Sequence, residues 1–107
     1  MAGQENTALT EAVYYILLSL TQPMHGYGIM QKVEEMSHGR LHMAAGTLYG
    51  ALSSLQEKGW IEALGSAADS RKKEYIITQA GCAVLDRELK RLEELVANGH
   101  AVLGGQE

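Results

Sequence analysis

Arg71, Lys72 and Lys73 are the one run of three cations in a 107-residue chain whose formal net charge is −4. Consecutive cationic side chains suit a string of phosphates, and each phosphate neutralised on duplex DNA adds about 0.9 to the salt dependence of binding. The plainer reading is a solvated strand edge, where lysine discourages edge-to-edge pairing. Thr47, Tyr49 and Ser53 offer hydroxyls within two helical turns, able to reach phosphate oxygens or base edges. Against that stands a capping threonine beside a half-buried aromatic ring. Tyr27 and His25 sit where a second helix begins, and a helix start presents free N–H groups to anions. They could equally pack and cap that turn. The acidic excess lies at the two ends of the chain, and residues 24–78 sum to zero with the cationic run included.

Catalytic patterns are missing. No Ser/His/Asp set, carboxylate pair in an apolar setting or phosphate-cradling glycine loop occurs, and the expectation is a non-enzyme without a cofactor. His38 and His42 are four residues apart, as a metal site on one helix would require. Gly39 interrupts them and no third ligand follows, so no metal is expected. Cys82 is the single cysteine. It excludes an internal disulfide and is expected to be a small buried apolar residue, the rival reading being a redox sensor.

These residues need elements to hold them. With 46% hydrophobic and 21% charged residues the chain is globular in composition. Leu9, Val13, Ile16, Leu17 and Leu20 mark one helix face, with Asn6 or Thr7 as cap and Pro23 as stop. Ile29, Val33 and Met36 mark a second helix from about His25 to the Ser37-His38-Gly39 stop. Leu48, Leu52 and Leu55 mark a third, from about Ala44 to Lys58, closed by Gly59. Gly46 and Gly50 weaken that helix by roughly 1 kcal/mol each, which suggests that another backbone approaches there. A hairpin follows, residues 60–64 and 71–78, with Tyr75 and Ile77 on one face. Thr78 then caps a last helix of about 20 residues. Its Leu85, Leu89, Leu92 and Val96 are spaced as a short heptad seam, and Asn98-Gly99 ends it. The layout is mainly α with a small β-hairpin: a winged helix-turn-helix over 1–78, a dimerisation helix over 79–98 and a flexible tail over 99–107. In such a layout the third helix enters the major groove and the hairpin lies along the backbone. The longest apolar run, Val13 to Leu18, is too short to cross a bilayer, and the N-terminus lacks the regions of a signal peptide. No membrane role is expected, and a cytoplasmic location is the simplest.

The chain resembles the PadR family of transcriptional regulators, in its small members with one short C-terminal helix. The matching pieces are His25-Gly26-Tyr27-Gly28-Ile29, Gly46-Thr47-Leu48-Tyr49, Leu55-Gln56-Glu57-Lys58-Gly59-Trp60-Ile61 and Arg71-Lys72-Lys73-Glu74-Tyr75-Ile76-Ile77-Thr78. They occur in order across residues 9–96. Gly50 stands where such proteins usually carry proline, and Trp60 where leucine is usual. The resemblance implies a homodimer on a palindromic operator of double-stranded DNA, acting as a repressor. The expected DNA contacts are Thr47, Tyr49, Ser53, Tyr27, Arg71, Lys72 and Lys73, and the expected dimer seam is Leu85, Leu89, Leu92 and Val96. Two alternatives stay open. One is a regulator that senses a small aromatic effector between its subunits, where Tyr14, Tyr15 and Trp60 would stand; these three can equally pack the seam and anchor the hairpin. The other is a protein-interaction module on a winged-helix scaffold that no longer binds DNA.

Overall fold

A computed structural model describes residues 8–65 and 73–104. Helix α1 spans Glu11–Ser19, strand β1 Met24–His25, α2 Gly26–Met36, α3 Ala45–Glu57, β2 Ile61–Leu64, β3 Glu74–Ile77 and α4 Gln79–Leu103.

Local chemistry sets most boundaries. Thr10 caps α1 through a hydroxyl that accepts the Val13 N–H at 3.1 Å. The expected caps Asn6 and Thr7 lie outside the described residues. The cap falls later than expected, and the Leu9 N–H ahead of it is engaged by Glu88 of α4, a long-range contact that periodicity does not encode. His25 caps α2, its Nδ1 accepting the Gly28 N–H. The end of α2 is a Schellman motif: His38 N–H bonds the Glu35 carbonyl and Gly39 N–H bonds the Glu34 carbonyl. His38, at φ 55°, takes the left-handed position there. The same motif closes α3. Gly59, at φ 78°, bonds Gln56 and Trp60 bonds Leu55.

The sheet has three antiparallel strands in the order β1-β3-β2, where the sequence suggested a two-stranded hairpin. Met24 pairs with Tyr75 and His25 with Glu74. Two residues are too few to show alternation, so β1 exists only through its partner strand. The Ile77 N–H also donates to the Leu20 carbonyl at 2.8 Å, joining β3 to the end of α1.

The core gathers Ile16, Leu17 and Leu20 of α1, Ile29 and Val33 of α2, Leu48, Leu52 and Leu55 of α3, then Ile61, Tyr75, Val84 and Leu85. These are the expected inward faces of the first three helices. Leu85 is 9% exposed and belongs to this core, so it is unavailable to a dimer seam.

Two glycines are required by close approach, and neither is Gly46 or Gly50. A Cβ on Gly81 would lie 2.2 Å from the Trp60 carbonyl oxygen, and one on Gly26 would lie 2.3 Å from the Tyr49 hydroxyl. Around Gly46 and Gly50 nothing lies within 4 Å, so no described backbone approaches them. Helix α4 also runs through Asn98-Gly99 to Leu103 and is capped at Gly104. A helical glycine costs only about 1 kcal/mol relative to alanine, which good neighbours offset. Gly50→Ala is therefore expected to stabilise the fold by about 0.5–1 kcal/mol, whereas Gly81→Ala should destabilise it by about 1–3 kcal/mol. Urea unfolding of the two variants checks both signs.

Candidate nucleic-acid interface

With Leu48, Leu52 and Leu55 buried, the opposite side of α3 presents Gly46, Thr47, Gly50, Ser53 and Ser54, all exposed. Glu57 shares this face at its C-terminal end, and the remainder is uncharged and carries hydroxyls with little side-chain bulk. Thr47 and Ser53 flank the two glycines. At 100° per residue Tyr49 projects from the other flank, and it is half-buried with its phenol over Gly26 at the start of α2. Tyr75, at 4% exposure, lies behind it. Burial raises the Tyr75 phenol above its ordinary 10.0, and the neighbouring Tyr49 adds to the shift. Tyr49 therefore sits in the seam between α3 and α2 and only its edge faces outward. Tyr27 is 62% exposed, and the Gln31 amide donates to its hydroxyl at 3.4 Å. The structure thus places Thr47 and Ser53 on the outward face, Tyr49 at its margin and Tyr27 on the first turn of the neighbouring helix.

At the root of the wing, Lys73 is half-exposed and directly precedes β3. Arg71 and Lys72 lie outside the described residues. Trp60 is half-buried against the core, with the Lys58 ammonium 5.5 Å from its ring centroid. It ties the end of α3 to the wing, as the packing reading expected. Arg40 pairs with Glu11, and His42 approaches Glu34 at 3.3 Å. Exposed pairs of this kind contribute little. No group of three or more His, Cys, Asp or Glu side chains suited to a metal occurs among the described residues. Cys82 is exposed, contrary to its expected burial. It lies in the first turn of α4, where Gly81 and Val84 face the body and turn it outward.

Beyond Glu88, no described residue of α4 is fully buried. Leu89, Leu95, Val96, Val102 and Leu103 are 44–74% exposed, and Leu92 is half-buried. Together they cover an arc of about 140°. Leu89, Leu92 and Val96, expected in a dimer seam, lie on this arc. Leu95, Val102 and Leu103 extend it beyond the expected residues. The signal existed, since Leu89, Val96 and Leu103 recur every seven residues, but ending the helix at Gly99 hid it. Tyr14 and Tyr15 of α1 are half-buried with ring centroids 6.1 Å apart.

Where α4 leaves the body stands Glu88, a carboxylate only 5% exposed. It accepts Arg91 Nε at 2.9 Å and Nη2 at 2.7 Å, and it accepts the Leu9 N–H at 3.3 Å. The Arg91 hydrogen bonds hold its pKa below 4.5 against the opposing effect of burial, with Leu9 adding to the lowering.

The PadR-like transcriptional regulator family profile matches residues 15–87. The chain belongs to this family. Among solved structures, this PadR-like chain is similar to a PadR family transcriptional regulator from Eggerthella lenta. That likeness has a TM-score of 0.64 and 27% identity, covering 85% of this chain and 79% of the other. It is similar to RosR of H. salinarum at a TM-score of 0.61 and 30% identity, covering 89% and 96%. It shares its fold with BpsR of Bordetella bronchiseptica, whose DNA binding is regulated by 6-hydroxynicotinic acid. There the TM-score is 0.66 at 17% identity, covering 86% and 65%. An uncharacterised 37.1 kDa protein in a Streptomyces fradiae transposon is 34% identical over 86 residues. Those residues are 79% of this chain but 24% of that protein, so the PadR-like chain spans about a quarter of its length. These likenesses agree with the winged-helix architecture, and no helix among the described residues is long and apolar enough to cross a membrane.

The lowered Glu88 pKa fixes the sign of one pH effect. Its stabilisation is present above about pH 4.5 and is lost as pH falls through the lower folded-state value. The stability difference between wild type and Glu88→Gln is expected to be constant from pH 5 to 7 and to shrink on further acidification. Denaturant titrations at stepped pH check this.

Proposed function

We propose that this PadR-like chain is a homodimeric regulator that binds a palindromic operator in double-stranded DNA and acts as a repressor. The carrying observation is the pairing of two exposed features on one rigid body. One is a hydroxyl-bearing outer face on α3, with Glu57 at its C-terminal end. The other is a long apolar arc on α4 that is largely exposed among the described residues. Thr47 and Ser53 approach base edges or phosphates, with Tyr49 and Tyr27 at the margin of the same contact. Arg71, Lys72 and Lys73 hold the backbone beside them. The negative net charge opposes binding, but a dimer doubles the phosphate contacts and places them at two points on the duplex.

Leu89, Leu92 and Val96, extended by Leu95, Val102 and Leu103, meet the same arc of a second copy. Area removed from water there contributes about 25 cal/mol per Å², and an exposed apolar arc of this length marks an interaction surface. Leu89→Glu is expected to give a monomer that retains its helical circular dichroism. Sedimentation equilibrium checks it, and a variant that stays dimeric refutes the seam.

The deciding experiment measures binding to the promoter DNA upstream of the protein's own gene, at several salt concentrations and against unrelated competitor DNA. Tight, salt-dependent, competitor-resistant binding is expected. Arg71→Ala with Lys73→Ala should weaken binding to all sequences and lower the salt slope by about 0.9 for each phosphate no longer neutralised. Weak binding, equal for promoter and competitor, would refute the operator reading and favour a protein-interaction module. An effector reading predicts a rise in melting temperature with small aromatic acids, as for any ligand that binds only the folded state.

A further inference from the structure

We propose that Glu88 is a positioning residue that fixes the angle at which α4 leaves the winged-helix body and so sets the operator half-site spacing the dimer accepts. The inference rests on the dimeric DNA-binding reading above and goes beyond it.

The placement of Glu88 carries the argument. Along its first ten residues α4 is held against the body: Gly81 abuts the Trp60 carbonyl, and Val84 and Leu85 enter the core. Glu88 is the last buried residue of α4 among the described residues. Its carboxylate reaches from α4 to the Leu9 N–H, just ahead of α1, and is forked by the Arg91 guanidinium. The next fifteen residues, Leu89–Leu103, continue for about 22 Å with no fully buried residue among those described. Glu88 thus stands at the fulcrum of a lever whose far arm carries the exposed apolar arc. A tilt of about 10° there moves the tip by roughly 4 Å over that length. Half-sites on B-DNA are one helical turn, about 34 Å, apart. A displacement of that size is comparable with one base-pair step of that spacing.

A buried carboxylate is a poor choice for stability alone. Desolvation offsets most of its attraction to a partner, and an apolar side chain of like volume usually serves as well. A directional contact does what an apolar contact cannot. The Leu9 N–H and the guanidinium fork admit one orientation of the carboxylate, whereas methylene packing tolerates sliding. Leu9, Val13 and Val84, next to this contact, supply the non-directional part of the same junction.

The test compares wild type, Glu88→Met and Glu88→Gln as full-length dimers. Affinity is measured on operators whose half-sites are moved apart or together by one and two base pairs. Separately, pulsed dipolar spectroscopy without DNA reads the distance between spin labels on the two α3 helices, placed at Gln56→Cys in a Cys82→Ser background. Wild type is expected to prefer one spacing by about tenfold and to show a narrow distance distribution. Glu88→Met should keep the dimer and a similar melting temperature while the spacing preference flattens and the distribution broadens. A Glu88→Met protein with the same optimum and the same narrow distribution overturns the proposal. If that variant fails to fold, Glu88→Gln, which keeps the volume and loses the charge, decides by the same two readouts. Wild type that binds no operator yet shows a narrow distribution broadened by the substitution refutes the DNA reading and leaves the positioning role standing. Absence of any dipolar coupling in wild type refutes the dimer, and the positioning role with it.

Discussion

The Trp60 carbonyl oxygen is the point on which the arrangement of this protein depends. It accepts the Thr78 N–H at 2.9 Å, while the Thr78 hydroxyl donates to the Gly59 carbonyl at 2.6 Å and accepts the Gly81 N–H at 3.1 Å. Gly81 lies against the same carbonyl so closely that no side chain fits. Three elements meet there: the end of α3, the root of the wing and the start of α4. Because Gly59 closes α3 in a Schellman motif, the turn that ends the recognition helix is also the surface on which the long helix starts. The outer face of α3 and the apolar arc of α4 are therefore parts of one rigid frame. Glu88 extends that frame by two further turns.

In the proposed DNA-binding dimer, the frame reconciles an acidic protein with an anionic partner. Long-range attraction is weak at a net charge of −4, and the outer face of α3 adds no cation and one anion, Glu57. Affinity then depends on placing a few cations and hydroxyls accurately, twice, at a fixed separation. Accuracy then comes from directional contacts at Trp60, Thr78 and Glu88, and duplication from the apolar arc. The small residues of α3 fit this division, since Gly46 and Gly50 let a helix backbone come close to whatever faces it.

Much of this was legible in the chain, and the reasons are local. Leu48, Leu52 and Leu55 repeat with the helical period, Thr78 and His25 carry capping atoms, and Gly59 suits a left-handed turn, so these features need only their sequence neighbours. The cationic run and the hydroxyls of Thr47 and Ser53 were legible as chemistry, though not their surroundings. Tyr49 appeared equally able to face outward, and only the closeness of Gly26 draws its ring into the seam. Cys82 read as buried because lone cysteines usually are, and the packing of Gly81 and Val84 turned it outward.

By itself the sequence determined the helices, the turns that end the first three, the faces they bury and the family to which the chain belongs, since periodicity and capping act over a few residues. Tertiary structure alone decided that Met24 and His25 form a strand, that Leu85 belongs to the protomer core, and that Glu88 is buried on the Leu9 N–H 79 residues away. Each of those outcomes is a contact between segments far apart in the chain, and its energy exists only once the core has brought them together.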